Sequence, residues 1–474
     1  MTESILNGLN WVVDSGNNLL WTYVLIALLL GLGVYFTVRT NFVQVRLFGE
    51  MFRVIGEKKD GEKGISAFQA FTISTASRVG TGNLAGVAIA IALGGPGAVF
   101  WMWVIALIGM ATAFIESTLA QVYKVRDGDQ FRGGPAYYME KALNKRGLGI
   151  AFAILITLCF GLIFNAVQAN TITLAFENAF NVDRLIIGVI VAAIAGVVIF
   201  GGVKRIASVT QIVVPVMAII YLVIAFFIVL TNFTQIPAVF SLIVSNAFGL
   251  NEVIGGGIGA AIMQGVRRGL FSNEAGMGSV PNAAATANVS HPAKQGLVQS
   301  LGVFVDTMII CSATAFMILL TDVYQTGESN GIVLTQNALS QHIGSWAPSF
   351  VAIAILLFAF SSIIGNYYYG ETNIEFIRES SSWKMVYRVA VLLMVLFGSV
   401  AEIILVWNMA DLFMGLMAVL NLVVIFLIGK IALDVLKDYT AQRKAGKNPV
   451  FYAKNITGLK NTECWDEQAE KERQ

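Results

Sequence analysis

Seven consecutive residues, Ser77-Arg78-Val79-Gly80-Thr81-Gly82-Asn83, interrupt a run from Phe68 to Trp103 that is otherwise apolar enough to enter a membrane. An interior glycine costs a helix roughly 1 kcal/mol relative to alanine, and an arginine at bilayer depth about 2.5–3.5 kcal/mol. Propensity and lipid both oppose this stretch unless the helix is broken for a purpose. A broken membrane helix offers freed carbonyls to a hard cation and the positive dipole end of a half-helix to an anion. Neutral oxygen ligands suit Na+, and an amino acid carries both an anion and a cation. A second interruption, Ser272-Asn273-Glu274-Ala275-Gly276-Met277-Gly278-Ser279 with Pro281 after it, repeats the G-x-G pattern with polar neighbours. Glycine pairs alone mark close helix packing, but two charged interruptions at corresponding places mark a solute or ion site.

Other polar groups lie deep in apolar sequence. In LLFAFSSIIGNYYYGETN, Ser361 and Ser362 are adjacent and Asn366 follows Ser362 by one helical turn. A lone serine usually bonds back to the carbonyl four residues earlier; a pair with an amide on the same face points to a ligand. Asn165 and Gln168 share a helix face, where helix packing and a polar substrate are equally good partners. Arg78, Arg267 and Arg268 flank the two interruptions and Glu274 sits inside one, so an Arg–Glu pair is expected to staple the broken helices. A proton relay through Glu274 is the rival. Glu116, Asp306, Glu371, Glu402 and Asp411 fall nearer span ends and read as structural or interfacial. Trp101 and Trp103, and Tyr367 to Tyr369, read as packing or membrane-interface aromatics.

These residues need a scaffold, and composition says which kind. With 56% hydrophobic and 13% charged residues, and mean hydropathy +0.72, the chain lies outside the soluble globular range. Apolar runs of about 20 residues predict eleven spans, near 18–38, 66–93, 96–123, 149–180, 185–202, 206–231, 251–288, 295–320, 348–376, 384–402 and 407–436. Residues 1–17 read as an interfacial helix ahead of an accessory span. Basic residues crowd the loops 39–65 and 124–148, the turns at Lys204-Arg205, Lys294 and Arg378 to Arg388, and the tail from Lys430; the alternate segments are nearly free of them. The positive-inside rule then places the N-terminus outside and the C-terminus in the cytoplasm. Five spans per half, 66–231 and 251–436, put the second half upside down relative to the first, with spans 2 and 7 discontinuous at matching positions. That inverted repeat indicates a secondary transporter in the cell membrane.

Several classes are disfavoured. A channel wants a continuous polar lining or a ring of charges. Cys159, Cys311 and Cys464, with His291 and His342, have neither disulfide nor zinc spacing, and no catalytic constellation suggests an enzyme. The loop segment DQFRGGPAYYMEKAL reads as a turn and an amphipathic helix; its glycines lack the Lys-Ser/Thr of a phosphate loop, so no nucleotide is expected. The net charge of +2 resides in loops and gives no reason to expect nucleic acid. No basic n-region or cleavage site suggests a signal peptide. The charged tail, 437–474, is expected to be exposed and partly disordered.

The run GGPGAVFWMWVIALIG, Gly94 to Gly109, resembles the signature of the alanine/glycine:cation symporter family. The blocks ASRVGTGNLAGVA, FRGGPAYYM, RGLFSNEAGMGSVPNAAATA and FAFSSIIGNYYYGE are similar to that family's as well, and the resemblance covers about residues 17 to 440. It implies the leucine-transporter-type fold of the amino acid/polyamine/cation superfamily, five plus five spans after one extra N-terminal span. It implies sodium-driven import of a small neutral amino acid. Sodium would be held by backbone oxygens around Ala76 and Val79 and by the hydroxyls of Ser361 and Ser362. Substrate contacts would come from Gly80, Thr81, Gly82, Gln168, Phe271, Ser272, Asn273, Gly276, Met277 and Asn366. Some members carry a bulky aromatic at the position of Asn366, so the smaller amide here implies a larger pocket that admits glutamine beside alanine or glycine.

Overall fold

The computed structural model describes residues 2–58, 64–249, 257–327 and 331–465, and it is almost wholly helical. Helix α1 runs from Thr2–Leu19 through a π-helical turn, Leu20–Leu25, into Ile26–Arg39 without a break. A separate interfacial helix was expected before the first span. The helical register instead continues through residue 17, and Trp21 and Leu25 are fully buried on the inner face. After a short helix α2, Phe48–Ile55, the first broken span is α3, Ala67–Arg78, and α4, Gly82–Gly94, bent by 50°. A capping box starts α3: the Ser66 hydroxyl accepts from Gln69 N–H at 3.1 Å, and the Gln69 side chain accepts from Ser66 N–H at 3.0 Å.

Helix α5, Gly97–Val122, is the central post, buried along most of its length. A hairpin follows, β1 Val125–Asp127 against β2 Gln130–Arg132, then α6, Pro135–Leu143. Next come α7, Arg146–Phe180; α8, Arg184–Ile199; α9, Gly202–Thr231; and α10, Ile236–Ala247. The second broken span is α11, Gly257–Asn273, and α12, Val280–Thr286. Between them Glu274, Gly276 and Gly278 take φ of 58°, 93° and 81°. Left-handed backbone is cheap at the two glycines and turns the chain sharply there. The chain ends in α13, Pro292–Leu319; α14, Gly331–Ile343; α15, Ala347–Ile377; α16, Ser381–Val400; and α17, Ile403–Lys444. Helix α5 packs against α1, α11, α12 and α13, while α15 packs against α3 and α7.

Among the described residues seven helices are long and apolar enough to cross a membrane, nine if two bent pairs, α3 with α4 and Ala218–Thr231 with Phe233–Ala247, each count as one span. Two expected spans fall short of that measure. Helix α8 has 16 residues, fewer than the about 20 that span a bilayer. The start of the span at 251–288 lies outside the described residues, as do Lys59, Lys63 and the chain end from 466, and α11 carries two arginines.

Apart from Lys204-Arg205, the basic segments are joined at one end of the molecule, the loop 124–148 through Arg132 to Glu375 at 2.9 Å and Lys141 to Glu463 at 3.2 Å. Lys294 pairs with Glu57 at 2.6 Å, Arg443 with Glu50 at 2.8 Å and Lys384 with Glu375 at 2.8 Å. The tail, expected to be exposed and partly disordered, folds across this end as far as Trp465 among the described residues. Phe451 and Trp465 are each 1% exposed, and the Trp465 indole donates to Gln121 O at 2.8 Å. Charge counting missed two large aromatics that bury together with rings 5.1 Å apart.

Candidate functional site

At the first break the helix ends because Val79 turns extended (φ −80°, ψ 93°). Its freed groups find specific partners. Gly80 N–H donates to Asn83 Oδ1 at 2.9 Å and Thr81 N–H to Gln168 Oε1 at 3.1 Å. The released carbonyls turn to α15. Ser362 Oγ lies 2.9 Å from Ala76 O and 3.4 Å from Val79 O, and Ser361 Oγ lies 3.4 Å from Ala76 O. Both hydroxyls also reach Phe358 O, at 2.8 and 3.2 Å. A hydroxyl has one proton, so each donates to one carbonyl at a time and keeps its lone pairs. Four oxygens with no formal charge thus lie together, the kind of donor a hard monovalent cation takes.

Gly82 brings the two breaks together: a Cβ there would lie 3.1 Å from both the Phe271 ring and Ser272 Cα. The Phe271 ring in turn packs between Phe164 at 4.6 Å and Trp407 at 4.7 Å. These three rings wall one side of the break in apolar surface. Phe164 and Trp407 were not singled out from sequence. Phe164 lies one helical turn before Gln168, so the i, i+4 spacing carried that signal; Trp407 carried none. Asn165, by contrast, bonds its own helix at Gly161 O, 2.9 Å away, and only Gln168 reaches the break.

The second break is fixed by buried carboxylates. Glu274 accepts from Ser279 Oγ at 2.5 Å and lies 2.7 Å from Ser77 Oγ, whose single proton serves either Glu274 or Asn366 Oδ1, 2.8 Å away. The expected Arg–Glu staple is therefore absent. A serine hydroxyl links Glu274 to α3, while the Arg78 guanidinium donates to Gln299 O at 3.2 Å. Arg267 and Arg268 also turn away from Glu274 and share Asp411 of α17: Arg268 bonds it directly and Arg267 lies 3.6 Å off. Glu116 accepts from Gly276 N–H at 3.1 Å and Asn421 Nδ2 at 2.8 Å, holding the glycine turn onto α5. Met277 is buried in that turn.

Asp306 joins both breaks. It accepts from Asn83 Nδ2 at 2.7 Å, Ser272 Oγ at 2.7 Å and Thr307 Oγ1 at 2.8 Å. Glu116, Asp306 and Asp411 were expected near span ends; they are 0–1% exposed and hold the interruptions in place. Nothing in a linear sequence shows which face of an enclosed helix meets a broken neighbour.

Some polar atoms at the breaks are left over. Thr81 Oγ1, Asn273 Nδ2 and Asn366 Nδ2 are buried without a partner among the described residues. Asn273 spends its oxygen on Ala275 N–H at 3.0 Å. An unpaired buried amide costs about 1–3 kcal/mol, so these donors suit a polar guest.

The family model of the sodium:alanine symporters matches residues 6–453. The chain is 60% identical over 466 residues to the amino-acid carrier protein AlsT of Bacillus subtilis, covering 98% of this chain and 99% of that one. It is 59% identical over 459 residues to the probable sodium/glutamine symporter GlnT of the same organism, covering 96% of each. Among solved structures it shares the fold of MhsT, crystallised with L-phenylalanine, at a TM-score of 0.56 and 14% identity over 80% of this chain and 96% of that one. The chain belongs to the sodium:alanine symporter family, a family of membrane transporters and not of enzymes.

Proposed function

We propose that the protein is a sodium-coupled symporter that imports a small neutral amino acid, alanine or glycine and also glutamine, by alternating access. The observation that carries this reading is the meeting of the Ser361 and Ser362 hydroxyls with the Ala76 and Val79 carbonyls. Na+ travels as a co-substrate among those four oxygens. The substrate lies beside it, between Gly80-Thr81-Gly82 and the stretch Phe271 to Met277. Gln168 is already drawn to Thr81 N–H, and Phe271 supplies the apolar wall. Asn366, 0% exposed and with a free Nδ2, faces the same region as Ser77 and Glu274. An amide is short enough there to leave room for a glutamine side chain and polar enough to bond it.

The frame for this cycle is eleven spans with the N-terminus outside and the C-terminus in the cytoplasm. The halves 66–231 and 251–436 form inverted repeats behind the accessory first span, and 437–474 is the cytoplasmic tail. The gathering of Lys294, Lys384 and Arg443 at one end of the bundle supports that orientation.

The test is uptake of labelled alanine and glutamine into proteoliposomes under a Na+ gradient, a proton gradient, or neither. Uptake is expected with Na+ alone; uptake driven only by protons would sink sodium coupling, and glutamine failing to compete with alanine would sink the wider pocket. In the same assay, Ser361→Ala with Ser362→Ala is expected to raise the apparent Na+ constant roughly tenfold, about 1.4 kcal/mol, before maximal uptake changes. An unchanged Na+ dependence would reject the ion site.

A proton-coupled cycle would need a titrating acid between the breaks, and Glu274, bonded to Ser77 and Ser279, holds that position. Glu274→Gln keeps one acceptor oxygen. Under sodium coupling the variant is expected to lose thermal stability yet keep Na+-driven uptake in its folded fraction. Loss of all proton-driven uptake with normal stability would favour the proton cycle.

A further inference from the structure

The segment FRGGPAYYM supplies none of the candidate ligands above, yet it touches two elements that carry them. In β2, Arg132 reaches Asp127 at 2.6 Å, Glu375 of α15 at 2.9 Å and Glu379 at 3.9 Å. Lys384 holds the other oxygen of Glu375 at 2.8 Å. The next two residues have no room for side chains. A Cβ on Gly133 would lie 2.6 Å from the Ala285 Cβ, and one on Gly134 would lie 2.9 Å from Asn282 Cγ. Asn282 in turn donates to Gly278 O at 3.1 Å and Ser279 O at 2.7 Å, and accepts from Asn373 of α15 at 2.9 Å. One short loop therefore clasps α12, which follows the second break, and the same end of α15, whose middle carries Ser361, Ser362 and Asn366.

Between the hairpin and α15 is a cavity of about 340 Å³ lined by Phe131, Arg132, Tyr368, Thr372, Glu375 and Lys384. Thr372 is less than two helical turns from Asn366. The cavity thus adjoins the part of α15 that leads to Asn366.

We propose that Arg132 is a positioning residue that latches the cytoplasmic exit, pinning Glu375 so that α12 and α15 stay closed together; this rests on the transport reading above. Withdrawing the guanidinium leaves Glu375 with Lys384 alone and lets the hairpin swing away. The Tyr137 ring on Phe376, at 4.9 Å, acts as the pivot. The cavity then becomes the release vestibule. Its mixed carboxylates and cations match a zwitterionic amino acid on its way out.

The latch is tested by solvent access and needs neither Na+ nor substrate, so its failure is distinguishable from failure of the transport reading. Thr372→Cys introduces a thiol in the cavity wall, while Cys159, Cys311 and Cys464 are buried. Inside-out vesicles are treated with a membrane-impermeant maleimide, with the parent protein as the blank. Adding Arg132→Gln is expected to raise the labelling rate about tenfold by populating an open minor state, whereas Arg132→Lys, which keeps the charge, stays near the parent. If Arg132→Gln does not fold, Glu375→Gln releases the same pair from the other side and is expected to give the same rise. Equal labelling of folded parent, Arg132→Gln and Glu375→Gln would overturn the latch, as would an equal rise with lysine and glutamine.

Discussion

Gly80→Ala is expected to lower initial sodium-driven uptake roughly 30-fold while leaving the protein folded. The added Cβ would overlap Ser362 Oγ and lie 2.8 Å from Gln168 Oε1. Backbone strain is not the cause, because Gly80 does not take left-handed φ. Steric displacement is. Ser362 is fixed on a long helix, so its hydroxyl can leave only by rotating away from Ala76 O and Val79 O. Gln168 must release Thr81 N–H. Two interactions are lost together at about 1 kcal/mol or more each, and each 1.36 kcal/mol is tenfold in rate. The check is uptake per unit of membrane-inserted protein, with the melting temperature in detergent alongside. Wild-type uptake would show that the four oxygens at the break do not hold the ion. A collapse in melting temperature would instead make Gly80 a packing residue.

The breaks were legible because they violate local rules in plain view: glycine and polar residues where lipid and helix both want leucine. The hydroxyl pair was legible for the same reason, and the structure brings Ala76, Val79, Ser361 and Ser362 together. Pairing between distant residues was not legible. Arg78, Arg267 and Arg268 flank the breaks in sequence, which suggested Glu274 as their partner. A helix places neighbours in sequence on different faces, and the partner was set by packing against α17 and α13 instead. Asn83 was visible within the first break, but its role required Asp306, 223 positions away. Helix α14, in a segment without Lys or Arg, read as loop; its Thr335 hydroxyl donates to Leu84 O at 3.1 Å and so braces the far side of the first break. The tail misled for the opposite reason. Its charges dominate the composition, and the few aromatics that bury it are too widely spaced to form a periodic pattern.

Asp411→Asn is expected to give the largest loss of stability of any single substitution at the site. Asp411 is 1% exposed and its carboxylate faces two guanidinium groups, Arg268 in direct contact and Arg267 at 3.6 Å. Removing one partner of a buried pair leaves an uncompensated charge and costs about 3–5 kcal/mol. Two arginines depend on this carboxylate, so the upper part of that range applies, and a melting temperature lower by on the order of 10 °C follows. The consequence reaches the pocket through stacked rings. The Arg268 guanidinium lies 4.8 Å over Trp407, whose ring meets Phe271 at 4.7 Å. An unpaired Arg268 that shifts toward water draws Trp407 from Phe271, so the residual folded protein is expected to bind substrate more weakly. Arg267 supplies the control. It is the more exposed of the two, 14% against 4% for the side chains, and the farther from Asp411. Arg267→Ala is therefore expected to cost well under half as much as Asp411→Asn and to spare substrate affinity. Thermal melts and alanine titrations of the two variants decide the matter: equal losses would mean that the carboxylate serves both arginines alike and that the Trp407–Phe271 stack does not depend on Arg268.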